Sequence, residues 1–266
     1  MKELFYGFLN TQPLWKNQQF GLRQFEFPKL DIAALPPIDL PSNLRLGHQM
    51  EHVFKHFISA SSTYDLILNN ILVDDGRNRI GELDFVLKEL TANQYFHVEL
   101  AYKFYIINPE ISEPIYRLMG PNRRDMFYTK LDKLKEKQLP LLHHTSLLPY
   151  WDALGINPLE IQQQCCFKAQ LFEPSDAQVS IRPLNGNCIK GKWIRFDDFN
   201  SIAFRFSRFY IPKKLEWVLT PQENVDWMTH FETLMEVNLR MVKENSPMLW
   251  MKKTSGEIEK LFVVWW

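Results

Sequence analysis

The chain has 266 residues, of which 45% are apolar and 23% charged, and its formal net charge is zero. That length suffices for a large core, and the balance of 31 basic against 31 acidic side chains excludes a uniformly basic nucleic-acid coat while leaving room for a local basic patch. No apolar run approaches the ~18 residues of a membrane span, so no membrane partner is expected. The first residues carry an early acid and no extended apolar stretch, which makes a poor signal peptide. Cys165, Cys166 and Cys188 form neither a disulfide framework nor a Cys-x-x-Cys metal site. Reduced thiols, no disulfide-linked partner and a cytoplasmic location are the expectation.

Residues 1–40 are aromatic and then proline-rich, with Pro28, Pro36, Pro37 and Pro41 breaking regular structure. They read as a short helix followed by an extended arm packed on the body. A helix is predicted over 43–60, capped by Ser42 or Asn43, with Leu46, Met50, Val53, Phe54 and Phe57 as its apolar stripe. Residues 81–105 alternate with period two in both halves and read as two half-buried strands of a hairpin. Residues 106–121 read as a loop. A second helix is predicted over 123–138, with Asn122 as its cap and Pro140 as its stop. Beyond about 145 the chain turns to short aromatic and β-branched segments at 164–172, 191–196, 203–211 and 261–266. Among them a long helix to about 244 is predicted, opened by the capping-box pattern Thr220-Pro221-Gln222-Glu223.

The hairpin gathers acids. On its second strand Tyr95, His97, Glu99, Ala101 and Lys103 share one face, and Glu82 and Asp84 lie two apart on the first strand. A turn centred between Thr91 and Ala92 sets Asp84 opposite Glu99, with Cβ atoms roughly 4.5–5.5 Å apart. Two carboxylates at that separation repel, so they need a cation or a raised pKa. Mg²⁺ answers that need, because it takes oxygen ligands and usually one or two carboxylates. The plainer reading is a solvent-facing hairpin with a charged outer face. Glu51 sits on the preceding helix, on the same side as Gly47; alone it reads as a solvated helix residue. From Arg117 to Lys137 there are seven Lys/Arg and three Asp/Glu, and the helix start expected after Asn122 would suit an anion. An ordinary solvated amphipathic helix is the competing account of that segment.

Gly81-Glu82-Leu83-Asp84 followed by His97-Val98-Glu99 resembles the core of the PD-(D/E)XK nucleases, the restriction-endonuclease-like superfamily, over about residues 42–140. The resemblance implies a helix Glu, matched by Glu51, a first-strand Asp, matched by Asp84, and a second-strand Glu, matched by Glu99. It implies that Asp84, Glu99 and Glu51 hold Mg²⁺ or Mn²⁺, with Glu82 facing the same metal or supporting it. The family lysine two residues after the Glu is Ala101 here. Lys103 lies on the same face but about 13 Å along the strand from Glu99 at ~3.3 Å per residue. Lys103 reaching a phosphate, Lys130 or Arg124 standing in, and a fold kept without catalysis all stay open. The chain also resembles, over most of its length including 214–221, a bacterial family defined as a domain of unknown function.

His48-Gln49-Met50-Glu51-His52 matches the His-x-x-Glu-His zinc-peptidase pattern, a minor alternative that leaves the hairpin acids unexplained. The interleaved aromatic and basic residues at 204–210 suit base stacking or, more plainly, core packing with arginines outward. The expected architecture is therefore α+β. An N-terminal arm (1–40) precedes a restriction-endonuclease-like core (41–145), a central mixed sheet flanked by helices, and a C-terminal α+β subdomain (146–266) follows. The expected function is metal-dependent phosphodiester hydrolysis on DNA or RNA, through Glu51, Asp84, Glu99 and Lys103, with Arg123, Arg124 and Lys130 binding phosphate. The alternative is an inactive nuclease-fold module that binds nucleic acid or a protein.

Overall fold

A computed structural model describes residues 2–41 and 43–266. The chain is α+β, a large mixed sheet flanked by helices. In chain order the helices are α1 (Lys2–Asn10), α2 (Leu46–Ser59), α3 (Phe127–Lys133), α4 (Leu148–Leu154), α5 (Phe196–Phe199) and α6 (His230–Met241). The strands are β1 (Gln18–Gln19), β2 (Leu22–Arg23), β3 (Tyr64–Asp75), β4 (Asn78–Glu89), β5 (Gln94–Ile107) and β6 (Leu118–Met119). They continue with β7 (Gln162–Pro174), β8 (Ile189–Arg195), β9 (Arg208–Tyr210), β10 (Met228–Thr229), β11 (Met248–Lys252) and β12 (Ile258–Val264). The residues group into two compact units. One comprises Met1–Phe5, Pro13–Tyr102 and Thr129–Lys168, the other Tyr6–Gln12, Lys103–Tyr128 and Ala169–Trp266, so β5 and β7 each contribute residues to both.

The first unit is built on the antiparallel meander β3–β4–β5. A two-residue connection at Gly76-Arg77 joins β3 to β4, and Gly76 takes the positive φ of 61° that such a turn demands. The hairpin β4–β5 has the register expected from the sequence, running from Phe85↔Val98 to Glu89↔Gln94. Leu83 to Leu87 are all buried. Successive strand residues point to opposite faces, so five in a row means that both faces of β4 are covered, not one. The half-buried hairpin read from the alternation is thus corrected. Helix α2 supplies part of that cover, with the Phe54 ring 4.4 Å from Phe85. Its stripe Leu46, Met50, Val53, Phe54 and Phe57 is buried as the spacing predicts. Its N-cap is Arg45, which makes no side-chain cap bond, and Ser42 lies outside the described residues. A second apolar group joins Leu83 and Val86 to Leu141, Leu142, Leu147 and Trp151. Leu141 lies where a Cβ on Gly81 would stand, so the glycine of the Gly-Glu-Leu-Asp run is a packing requirement. In the N-terminal arm Leu14 N and Phe25 N donate to Phe167 O and Cys165 O along β7.

The second unit carries the order β7-β8-β12-β11-β9-β10, with β8 parallel to both its neighbours and the remaining pairs antiparallel. Helices α5 and α6 lie over it. Phe199 and Val237 pack with Ile194, Phe209, Leu249 and Val263.

Three predicted helix and strand limits are corrected. The segment 123–138 is not one helix: α3 begins at Phe127, a π turn follows at Leu134–Gln138, and a 3-10 turn at Leu139–His143 runs through Pro140. Asn122 cannot cap it, because its Oδ1 accepts from Ser246 N at 2.7 Å. The long helix starts at His230 rather than near Thr220, because Met228 and Thr229 are already paired as β10 with β9. Its capping box is Thr229/Glu232. The strand expected over 203–211 shrinks to β9, since Ile202–Phe204 form a 3-10 turn whose Phe204 ring packs 5.3 Å from Phe199.

Candidate functional site

Asp84 and Glu99 follow directly on the last ladder pair, Phe85↔Val98. Beyond that pair the two carboxylates replace the ladder. Asp84 N donates to Glu99 Oε1 at 3.3 Å, and Leu100 N donates to Asp84 Oδ2 at 2.8 Å. Each acid thus satisfies a backbone N–H of the opposite strand where the sheet no longer does, so these positions call for side-chain oxygens.

Both acids are buried, Asp84 at 8% exposure and Glu99 at 0%. Burial drives the Asp84 carboxyl well above the ordinary carboxylate range, with the negative charges of Glu99 and Glu51 adding to it; the Leu100 N–H and the Lys130 ammonium act the other way. The electrostatic sum is that of an acid pair short of positive charge.

The surroundings of Glu99 are polar and ordered. His97 Nε2 lies 3.0 Å from Glu99 Oε1, and Gln163 Nε2 lies 3.3 Å from His97 Nδ1. Because Gln163 donates to Nδ1, the histidine holds its proton on Nε2 and donates it to Glu99. Gln138 Nε2 donates to Glu99 Oε2, and its own Oε1 accepts from Lys130 Nζ at 2.7 Å. The chain Lys130–Gln138–Glu99 therefore brings an ammonium to the acid pair from α3 and the π turn that follows it. Near the same acids Cys165 is inert as a nucleophile, since burial pushes its thiol far up.

Glu51 approaches from α2. Its Oε2 accepts from Asn70 Nδ2 at 3.0 Å and lies 3.1 Å from His48 Nδ1. Asn70 stands at a positive φ of 51° within β3, and Asn69 Nδ2 donates to its Oδ1 at 2.9 Å. A cavity of about 360 Å³ opens here, lined by His48, Glu51, His52, Lys55, Asn69 and Asn70 among others. The residues of the His-x-x-Glu-His run thus line one cavity. Among the described residues, however, no three His, Cys, Asp or Glu side chains are grouped closely enough to hold a metal ion as they stand. His56 goes elsewhere, with Nε2 at 2.9 Å from Pro36 O and its ring stacked on Phe5.

The remaining predicted residues belong to the second unit. Lys103 Nζ donates to Asp125 Oδ2 at 2.6 Å. Arg123 takes a positive φ of 58° and lays its guanidinium 4.7 Å from the Trp266 ring centre. Arg124 is exposed, 4.0 Å from Glu244. The helix N-terminus that would have gathered Arg123 and Arg124 onto an anion is not formed. Of the basic residues predicted to bind phosphate, Lys130 is the one whose charge bears on Asp84. Sequence reasoning missed Gln138, Gln163, Asn69 and Asn70. The only local signal was Gln138 just ahead of Pro140, where a helix is expected to change course.

The donor set suits a hard divalent cation: two adjacent buried carboxylates short of positive charge, with a third contributing from α2. Neither a search of curated proteins nor one of solved structures finds a match. A family model described as a domain of unknown function (DUF1853) matches residues 17–264, nearly the whole chain. The chain belongs to that family.

Proposed function

We propose that the chain is a divalent-metal-dependent phosphodiesterase acting on nucleic acid, with a restriction-endonuclease-like core in the first unit. The observation that supports this most directly is the Asp84–Glu99 pair, two buried carboxylates set side by side where the β4–β5 ladder ends, with Glu51 adding a third negative charge. Asp84 and Glu99 would hold Mg²⁺ or Mn²⁺, with Glu51 assisting directly or through water. Bound there, the metal would offset the carboxylate charge and acidify a water for attack on phosphorus. His97 fixes the orientation of Glu99 through its Nε2–H. Lys130, linked to Glu99 through Gln138, takes the place of the lysine that Ala101 lacks and stabilises negative charge on the attacked phosphate. Lys103, committed to Asp125, is not the catalytic lysine in this reading.

A second reading, a nuclease-type fold kept for binding without turnover, draws on one specific feature. Both Glu99 oxygens already accept hydrogen bonds from the protein, Oε1 from Asp84 N and His97 and Oε2 from Gln138. Incubation with single- and double-stranded DNA and RNA in Mg²⁺ or Mn²⁺ separates the two. Cleavage by the wild type that is lost in Asp84→Asn and Glu99→Gln supports the enzyme. Equal background from all three proteins on every substrate removes it.

A further inference from the structure

We infer that the outer face of α6 is the contact surface of a two-fold homodimer in which two copies of α6 pack antiparallel. The helix is amphipathic twice over. One face, with His230, Thr233 and Val237, is buried against the sheet of its own unit. A second stripe, Phe231, Met235, Leu239 and Val242, recurs at intervals of three and four and so occupies one narrow strip of the helix surface. These four side chains are 58–80% exposed. Ile202, 77% exposed, extends the strip, because it lines one groove together with Phe231 and Leu234.

Five large apolar side chains at this exposure present on the order of 600 Å² of apolar surface. That exceeds the few hundred Å² usual for one patch on a monomer and approaches the ~800 Å² per partner of a standard-size interface. The helix itself argues for a second copy over an unrelated partner. Glu232 and Glu236 flank the stripe near the N-terminal end, and Arg240 and Lys243 flank the same side near the C-terminal end. When two helices pack antiparallel about a two-fold axis, each flank meets the same flank of its mate. The acidic half of one α6 then lies beside the basic half of the other, at both ends at once, and Phe231 faces the partner's Val242. A parallel pair would set like charge against like. Self-complementarity of this kind is what an isologous contact requires.

Sedimentation equilibrium of the full chain from low to high micromolar concentration tests the inference. The wild type should show a monomer–dimer equilibrium. Leu239→Glu should weaken it at least tenfold, and Glu236→Lys should weaken it several-fold. Adding Lys243→Glu to Glu236→Lys should recover most of that loss, which a purely hydrophobic collapse would not do. If Leu239→Glu fails to fold by circular dichroism, Val242→Glu, just past the helix end, serves in its place. A wild type that stays monomeric throughout, or a dimer untouched by both apolar substitutions, overturns the inference. So does a monomer that instead sediments with anionic lipid vesicles.

Discussion

Two buried charges in this chain meet opposite fates. In the second unit Lys260, 5% exposed, donates to Gln170 Oε1 at 2.7 Å and to Trp217 O at 2.6 Å. Both acceptors are neutral, and burial, with Lys190 adding to it, lowers the ammonium to about 7. In the first unit Asp84 meets another buried acid, and burial and Glu99 together raise it. Lys260 has surroundings arranged to carry one charge with hydrogen bonds. Asp84 has surroundings that leave charge over. A core that only had to be stable would not set Asp84 and Glu99 side by side, since a like-charge pair costs stability that hydrophobic residues would recover. The contrast is the physical reason to place chemistry at the first site and structure at the second.

The strongest way to break that comparison is Asp84→Asn. It should cut phosphodiester cleavage about a thousandfold, ~4 kcal/mol in the barrier, while raising the thermal midpoint of the metal-free protein at pH 8. The sign follows from linkage. A carboxyl raised in the folded state binds a proton that the unfolded chain has lost, so stability falls as pH climbs from the unfolded value toward the folded one. The amide removes that loss. A lower midpoint at pH 8 without metal would show that the pair is not short of positive charge.

Lys260 should titrate in the opposite sense. Its folded value, about 7, lies below its ordinary 10.5, so the folded state holds fewer protons between those limits and stability rises with pH across them. Wild type relative to Lys260→Met, followed by urea unfolding, should gain up to about 1.4 kcal/mol per pH unit from pH 7 toward 10. A flat difference would mean that water reaches the ammonium.

The next effect is smaller and divides two lysines. Lys130→Ala should lower cleavage tenfold or more, whereas Lys103→Ala should change it less than threefold, measured as kcat/KM on one oligonucleotide. The reverse order would return the catalytic role to Lys103. The smallest effect is at the α6 cap. Thr229→Ala removes the hydroxyl that accepts from Glu232 N and should cost about 1 kcal/mol of stability with turnover unchanged.

What the sequence disclosed follows the range of the interactions. The β4–β5 register was legible because a four-residue link fixes it locally and alternation fixes the faces. The α2 stripe was legible for the same reason. Strand β3 was missed although Asp75-Gly76 is a strong turn signal, and β11 was missed because five residues carry little pattern. The helix expected after Asn122 failed through a partner at Ser246, far along the chain, which takes the capping oxygen. His97 and Glu99 read as an outward polar face, yet Gln138 and Gln163 arrive from distant segments to bond and bury them. Local pattern thus supplied the acids, and long-range contacts supplied the lysine and the amides around them.

Because Asp84 and Glu99 each accept a hydrogen bond from a backbone N–H of the opposing strand, they do the sheet's work as well as any chemistry. A descendant that had abandoned catalysis would still need oxygen at both positions to close the gap between β4 and β5. Glu51, held by the side chains of His48 and Asn70, has no such second duty. Across a lineage, drift at Glu51 would therefore mark the loss of activity well before the hairpin acids changed.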